Sequence, residues 1–165
     1  IHILLDKAHN AQTMAFLCHL NPEMADRIVD AGTPGPQLVV QLSNLLSKNR
    51  LLGIMADRVL PGQRTMTHSF LGQDADFPIG PWALAVVLDR PLIYCFGTYE
   101  GGRRYRITFE KFDATGLTGR TAARAQVAAA HYIERLEYHV RRAPLNWFNF
   151  YRFWSETSDG IEDTN

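Results

Sequence analysis

Short apolar runs and longer amphipathic stretches follow one another along the chain and predict strands and helices in turn. Apolar runs at Ile1–Leu5 and Leu51–Ala56 have the length of strands, and Arg27–Val29 is consistent with a third. Apolar residues recur at helical spacing in three ranges, 10–20, 34–49 and 120–142. The first half of the chain therefore predicts a parallel sheet with helices as its connections.

The second half predicts an antiparallel pair. Pro91–Tyr99 is rich in apolar and aromatic residues, and Tyr105–Phe112 alternates between apolar and polar residues. Between them, Glu100–Arg103 contains two adjacent glycines, which favour a tight hairpin turn. The predicted fold is one α/β domain over residues 1–154, with a mostly parallel central sheet covered by helices and an antiparallel hairpin near its C-terminal part. Residues 155–165 are expected to form a polar tail.

The segment from Gly53 to Ala85 connects these halves and contains the main candidate site. Its apolar run, Leu51–Ala56, predicts a buried strand that ends at Asp57 and Arg58, and a turn-rich loop follows at Leu60–Arg64. An extended piece, 65–71, is followed by a break at Gly72 and residues 74–76. A strand followed by a charged loop is where an open α/β sheet forms a ligand crevice.

This segment resembles a known family. It contains G-(x)3-D-R at 53–58, P-G-x-R at 61–64, F-L-G at 70–72 and F-P-x-G-P-W-x-L-A at 77–85. This order is similar to the later motif blocks of the bacterial lysophospholipid acyltransferase-like superfamily, and most of all to the lipid A biosynthesis (late) acyltransferase group. The resemblance extends over roughly residues 1–154.

The resemblance implies an acyltransferase. Such an enzyme would move a fatty-acyl group from an acyl-thioester, either acyl carrier protein or CoA, to a lipid or glycolipid acceptor. It would be a membrane-associated bacterial protein, peripheral on the cytoplasmic face of the inner membrane, with no metal and no other cofactor. The alternative is a non-catalytic lipid- or acyl-carrier-binding module of the same fold.

Three charged residues are candidates for substrate binding, namely Asp57, Arg58 and Arg64. The two arginines are suited to bind a phosphate or to polarise an ester carbonyl, and Asp57 is suited to orient them. A structural ion pair that closes the strand end is the alternative. Placement alone leaves both interpretations open, and the resemblance favours the functional one because this block borders the acyl-transfer site in the family.

Apolar residues near the same loop are candidates for an acyl-chain slot. Phe70, Phe77 and Trp82 are the large ones, with Leu71 and Ile79 beside them, and ordinary core packing is the alternative. Gly80 and Pro81 open the next helix, and the free N–H groups of such a helix start can bind an anion. The alternative is that they only start the helix.

The superfamily uses a histidine with an aspartate five positions later as its catalytic pair. No histidine in this chain has an aspartate at that spacing. The remaining candidate is His68, with Asp74 and Asp76 six and eight positions after it. Because the chain begins inside an apolar run, we expect it to be a piece of a longer protein, with the catalytic pair upstream of Ile1. The chain by itself is then expected to lack transfer activity.

Composition adds few constraints. The formal net charge is +0, which gives no reason to expect a nucleic-acid partner. Ten basic and four acidic residues lie in the range 101–154, an excess of six positive charges that suits either phosphate binding or a solvated surface.

Cys18 and Cys95 are predicted to be separate buried thiols. The aromatic segment 146–154 is predicted to pack on the sheet through Trp147, Phe150 and Trp154, with a membrane-interface anchor as the alternative.

Overall fold

The computed structural model describes residues 1–8, 10–60, 62–113 and 117–154, so the predicted polar tail at 155–165 lies outside the described residues. The fold is mixed α/β, as predicted, with a three-stranded parallel sheet and two antiparallel hairpins. In chain order the elements are β1 (His2–Leu5), α1 (Ala11–Leu20), a 3-10 helix (Pro22–Arg27), β2 (Ile28–Asp30), α2 (Gly35–Leu46), β3 (Leu52–Ile54), β4 (Thr65–Phe70), β5 (Gln73–Pro78), α3 (Gly80–Leu88), β6 (Leu92–Tyr99), β7 (Tyr105–Phe112), α4 (Thr121–Arg142) and a 3-10 turn (Pro144–Asn146).

The parallel sheet has β1 in its centre. Ile3 lies opposite Ile28 of β2 on one side and opposite Gly53 of β3 on the other. α2, which has Leu42 fully buried, forms the connection that passes from β2 to the far side of β1. The strand order therefore changes direction at β1, and the carboxyl ends of β1 and β3 flank the position where open α/β sheets bind ligands.

β3 is a strand, as predicted, but it is shorter and less buried than its apolar sequence suggests. Leu52–Ile54 is half-buried, and the flanking Leu51 and Met55 are exposed. Ala56, two residues after the strand, is the residue that joins the main core. The burial of this strand was therefore predicted wrongly, because an apolar run does not show how many of its faces are covered.

The β4–β5 hairpin replaces a break that was predicted at residues 74–76. Ala75 and Phe77 of β5 are fully buried, whereas Asp74 and Asp76 are exposed. The two aspartates suggested a turn, but the alternation of buried and exposed residues is that of a strand with one covered face. The turn itself is Leu71-Gly72, with φ of 55° and 92°, the left-handed geometry of a tight two-residue hairpin loop.

α4 organises the core of the C-terminal two-thirds of the chain. Its buried face combines small residues with larger apolar ones: Ala125, Ala128, Ala129, Ile133, Leu136 and Val140. The small residues allow the hairpins and α3 to approach the helix closely. The core residues that pack in the same cluster are Phe70, Phe77, Trp82, Tyr94, Phe96, Phe112 and Phe153.

The C-terminal aromatic segment divides between core and surface. Trp147 packs its ring against Phe70, as does Phe153, and Trp154 Nε1 donates a hydrogen bond to the Phe70 carbonyl at 3.1 Å. Phe150, the third residue that was predicted to pack on the sheet, is 91% exposed, so that prediction is wrong. The packing interpretation thus applies to part of the segment, and Phe148 and Phe150 present their rings to solvent.

The two cysteines form no disulfide, as predicted. Cys95 is exposed, however, which corrects the prediction of a buried thiol. Its neighbours in β6, Tyr94 and Phe96, are buried against α4, so the alternation of the strand directs Cys95 to the opposite face.

We predict that the fold depends on the buried face of α4. Ile133 is 1% exposed in the centre of the core, and Val127, on the same helix, is 49% exposed. Ile133→Ala should lower the free energy of unfolding by about 3 kcal/mol through lost burial and the cavity it leaves. The matched variant Val127→Ala should change it by less than about 0.5 kcal/mol. Urea unfolding monitored by circular dichroism measures both, and equal effects would contradict this account of the core.

Candidate functional site

Asp57 and Arg58 lie just beyond the carboxyl end of β3, as predicted. Asp57 is half-buried and Arg58 is exposed. At the neighbouring strand ends, Asp30 Oδ1 accepts hydrogen bonds from the backbone N–H groups of Lys7 and Gly32, at 3.2 and 3.1 Å. At the carboxyl edge of the parallel sheet, the end of β2 is therefore fixed by hydrogen bonds to Asp30. The arginine that follows β3 is accessible to solvent.

The Asp57-Arg58 pair is in electrostatic contact with α4 and with the C-terminal segment. Burial raises the pKa of the Tyr132 hydroxyl, and the Asp57 carboxylate raises it further. Burial also raises the pKa of Tyr151, while the positive charge of Arg58 acts against this shift and the Asp57 carboxylate acts with it. Arg58 therefore lies within electrostatic reach of the Tyr151 hydroxyl, and its side chain is exposed to solvent.

The loop between the two candidate arginines is a turn, as predicted, although Pro61 lies outside the described residues. The Gln63 N–H donates to the Leu60 carbonyl at 3.1 Å, and Gly62 has φ of 78°. Arg64 is exposed at the start of β4, and its carbonyl accepts a hydrogen bond from the Ile79 N–H at 3.1 Å. That bond fixes the arginine's backbone beside the start of α3.

The helix start at Gly80 and Pro81 is confirmed. α3 begins at Gly80 with Pro81 in its first turn, and no side chain caps its N-terminus. Gly80 is exposed, with open space where a Cβ would lie. The backbone around Gly80 is accessible, and its role as an anion site stays a prediction.

The apolar candidates lie inside the protein. Phe70 and Phe77 are fully buried and contact each other edge-on, and both rings also pack against Phe153. Trp82 is 4% exposed and packs against Tyr94 and Tyr132. All three have the environment of core residues, so contact with an acyl chain would require neighbouring rings to move. Their role in an acyl-chain slot stays a prediction.

His68 lies in β4, and the structure does not bring it together with either nearby aspartate. In the β4–β5 register His68 is opposite Ala75, whereas Asp74 and Asp76 are opposite Ser69 and Thr67. Because paired residues share a face, both aspartates point to the other face of the hairpin. His68 Nδ1 donates instead to the Ser69 carbonyl at 2.8 Å. A His68–Asp catalytic pair is therefore absent from this geometry.

A second polar cluster, formed by Glu110, Arg135 and His139, was missed in the sequence. Arg135 binds both carboxylate oxygens of Glu110, at 2.6 and 3.0 Å, and His139 Nε2 donates to the same carboxylate at 2.7 Å. The His139 ring also stacks on Phe96, with 4.2 Å between ring centroids. Two signals were available: Arg135 and His139 are four apart on one helix, and Glu110 shares the inward face of β7 with Phe112.

This cluster fastens the β6–β7 hairpin to α4. The hydrogen bonds from Arg135 hold the pKa of Glu110 well below its ordinary value, at about 2, with His139 acting in the same direction and burial acting against both. A carboxylate with a charge-assisted, two-oxygen contact and a second donor is strongly held. A histidine paired with a carboxylate is also the arrangement of a general base, but here the arginine occupies the carboxylate as well.

No group of metal-ligating side chains occurs among the described residues. In those same ranges no helix combines the length and the apolar character needed to cross a membrane. The chain matches no protein-family model. No curated protein sequence matches it either.

We predict that Glu110 contributes stability in a pH-dependent way. Its pKa of about 2 in the folded protein lies below the ordinary value of 4.5, so its contribution is complete above about pH 4.5 and is lost as the pH falls towards 2. Glu110→Gln should lower the free energy of unfolding by about 2 kcal/mol at pH 7. The difference between variant and wild type should shrink as the pH falls through that range.

Glu134→Gln is the matched control, because Glu134 is an exposed glutamate on α4, the helix that Glu110 contacts. It should change stability by less than about 0.5 kcal/mol. Denaturant unfolding at a series of pH values measures both variants. A Glu110→Gln effect that is independent of pH would show that the carboxylate charge is not what stabilises this contact.

Proposed function

We propose that the protein is an acyltransferase that moves a fatty-acyl group from an acyl-thioester to a lipid or glycolipid acceptor. The carrying observation is Arg58, an exposed arginine just beyond the carboxyl end of a parallel strand. This is the type of position at which open α/β sheets bind ligands. The resemblance of residues 53–85 to the acyltransferase motif blocks supplies the reaction type.

The proposed reaction needs three functions. The acceptor hydroxyl oxygen attacks the thioester carbonyl carbon, a base takes the hydroxyl proton, and the thiol of the carrier leaves as the C–S bond breaks. Arg58 and Arg64 would bind the polar part of a substrate or stabilise the negative charge on the carbonyl oxygen, with Asp57 as an orienting carboxylate. The base would come from the His–Asp pair that the resemblance implies for the family.

The alternative is a non-catalytic module that binds a lipid or an acyl carrier. One observation favours it: His68 lies on the opposite face of its hairpin from Asp74 and Asp76. The two functions differ in one property. A binder would hold acyl-thioester without consuming it, whereas an enzyme would release the free carrier thiol.

The proposed location is the cytoplasmic face of the inner membrane. Supporting this, Leu145, Phe148 and Phe150 lie within a stretch of six residues, with 88%, 68% and 91% of their surface accessible. Arg142 lies three positions before Leu145, and Arg152 lies two positions after Phe150. Apolar rings beside arginines suit the boundary between acyl chains and anionic headgroups.

We predict that Arg58→Ala in the intact protein lowers kcat/KM for acyl transfer by about tenfold to a hundredfold, the effect of removing one charge-assisted contact. The melting temperature should change little, because the side chain is exposed. Arg103→Ala is the matched control, since Arg103 is an exposed arginine at the turn of the β6–β7 hairpin, and it should leave transfer unchanged. Release of carrier thiol measures the rate. Unchanged kinetics in Arg58→Ala, or unfolding as its only effect, would count against the proposal.

A further inference from the structure

A cleft of about 620 Å³ lies between the β6–β7 hairpin and the C-terminal half of α4. We call it the arginine cleft, and its charged lining is Glu100, Arg106, Glu110, Arg135, His139 and Arg142. Its volume falls within the range of about 300–1,000 Å³ that is typical of small-molecule sites. None of these residues was among the sequence-predicted site residues.

The cleft follows from the patterning of two elements. One face of the hairpin packs on α4, and it is apolar around Tyr94 and Phe112 but polar towards the turn, at Thr98, Arg106 and Thr108. On α4 the residues 135, 138, 139 and 142 follow helical spacing and therefore form one stripe. Where the apolar packing stops, polar side chains from both elements face a common space.

The charges in the cleft are unequally neutralised. Arg135 and His139 share Glu110, and Arg106 pairs with Glu100 at 2.5 Å in a largely exposed contact. Three arginines against two glutamates leave the lining positive by one charge with His139 neutral.

Arg142 carries the unbalanced charge. Among the described residues it contacts the Tyr138 ring, 5.4 Å from the guanidinium carbon to the ring centroid, and has no carboxylate partner. The guanidinium of Arg135 lies 4.4 Å from the centroid of the same ring. Two guanidiniums therefore flank one tyrosine, and only one of them is neutralised.

We propose that the arginine cleft binds a phosphate monoester. A dianionic phosphate offers acceptor oxygens to the planar guanidinium of Arg142, while the Tyr138 ring keeps that guanidinium in place. Arg106, on the opposite wall, is exposed enough to leave Glu100 and contact the same phosphate. The threonine hydroxyls supply further donors, and the remaining volume accommodates the group that carries the phosphate.

The site itself rests on the geometry of the cleft, and only its use in acyl transfer rests on the proposed function. In that reaction the phosphate monoester would belong to one of two substrates. One is the 3′-phosphate of coenzyme A on the donor side, and the other is the headgroup of an anionic lipid on the acceptor side.

The test is ligand binding to the intact protein, measured separately for the two sources. Isothermal titration calorimetry compares coenzyme A with dephospho-coenzyme A, which lacks the monoester. Vesicle sedimentation compares phosphatidylcholine vesicles with and without phosphatidic acid. Arg142→Gln should weaken binding of the phosphate-bearing probe by about tenfold or more.

Arg141→Gln is the matched control. Arg141 is the adjacent residue, carries the same charge and lies near the same helix C-terminus, but it bonds Glu137 at 2.6 Å and does not line the cleft. General electrostatic attraction and the helix dipole act on both arginines alike. A loss of affinity in Arg142→Gln but not in Arg141→Gln therefore shows that the phosphate binds in the cleft. Arg106→Gln provides a second cleft variant if Arg142→Gln lowers the melting temperature.

Binding of coenzyme A but not dephospho-coenzyme A, lost in the cleft variants and kept in Arg141→Gln, supports the proposal and assigns the site to the donor. The same pattern with phosphatidic acid supports it and assigns the site to a lipid headgroup. Absence of binding in both assays, or equal losses in Arg141→Gln and Arg142→Gln, overturns it. Because the readout is binding, this result and the acyl-transfer result are independent of each other.

Discussion

The buried face of α4 is the constraint on which the C-terminal two-thirds of the structure depends. Three alanines and three larger apolar residues on this face are each at most 6% exposed. Small side chains on a helix allow neighbouring backbones to come close, and the space they leave is filled by rings from both hairpins, from α3 and from Phe153. The polar contacts of α4 follow from this packing. Glu137 accepts the Leu71 N–H at the β4–β5 turn, and Arg135 holds Glu110 of β7.

The same helix connects the arginine cleft with the sheet-edge site, the name we give to Asp57 and Arg58 at the end of β3. Tyr132 lies within electrostatic reach of Asp57 near the end of β3, and Arg135, His139 and Arg142, about one to three turns further along the helix, line the arginine cleft. One rigid element of 22 residues thus contributes side chains both to the sheet-edge site and to the cleft. Sites built on a helix of this length hold their geometry better than sites built on loops alone.

Much of the fold could be predicted from the sequence because its signals are local. Helical spacing and proline positions defined α2, α3 and α4, and the two glycines at 101 and 102 defined the turn between β6 and β7. β5 could not be predicted, since D-A-D-F has the composition of a turn and only packing into the main core makes Ala75 and Phe77 a buried face. The burial of β3 and the exposure of Phe150 depend on which faces the rest of the chain covers.

The candidate site shows a similar division. Strand-end placement predicted where Asp57 and Arg58 would lie, and the structure puts them there. A fixed spacing between histidine and aspartate could not reveal that His139 meets Glu110, because the two residues are 29 apart in sequence and pair only through the packing of a strand on a helix. The arginine cleft is likewise a product of tertiary packing, although its residues belong to the basic range 101–154 that composition had marked.

The central claim is that the protein transfers an acyl group to a lipid. Mass spectrometry of total lipids from cells that carry the intact gene, compared with cells in which it is deleted, tests this claim most directly. The account predicts at least one lipid or glycolipid that is heavier by one fatty-acyl group in the presence of the gene, with the under-acylated form accumulating in its absence. Identical lipid profiles, with the protein shown to be expressed, would contradict it.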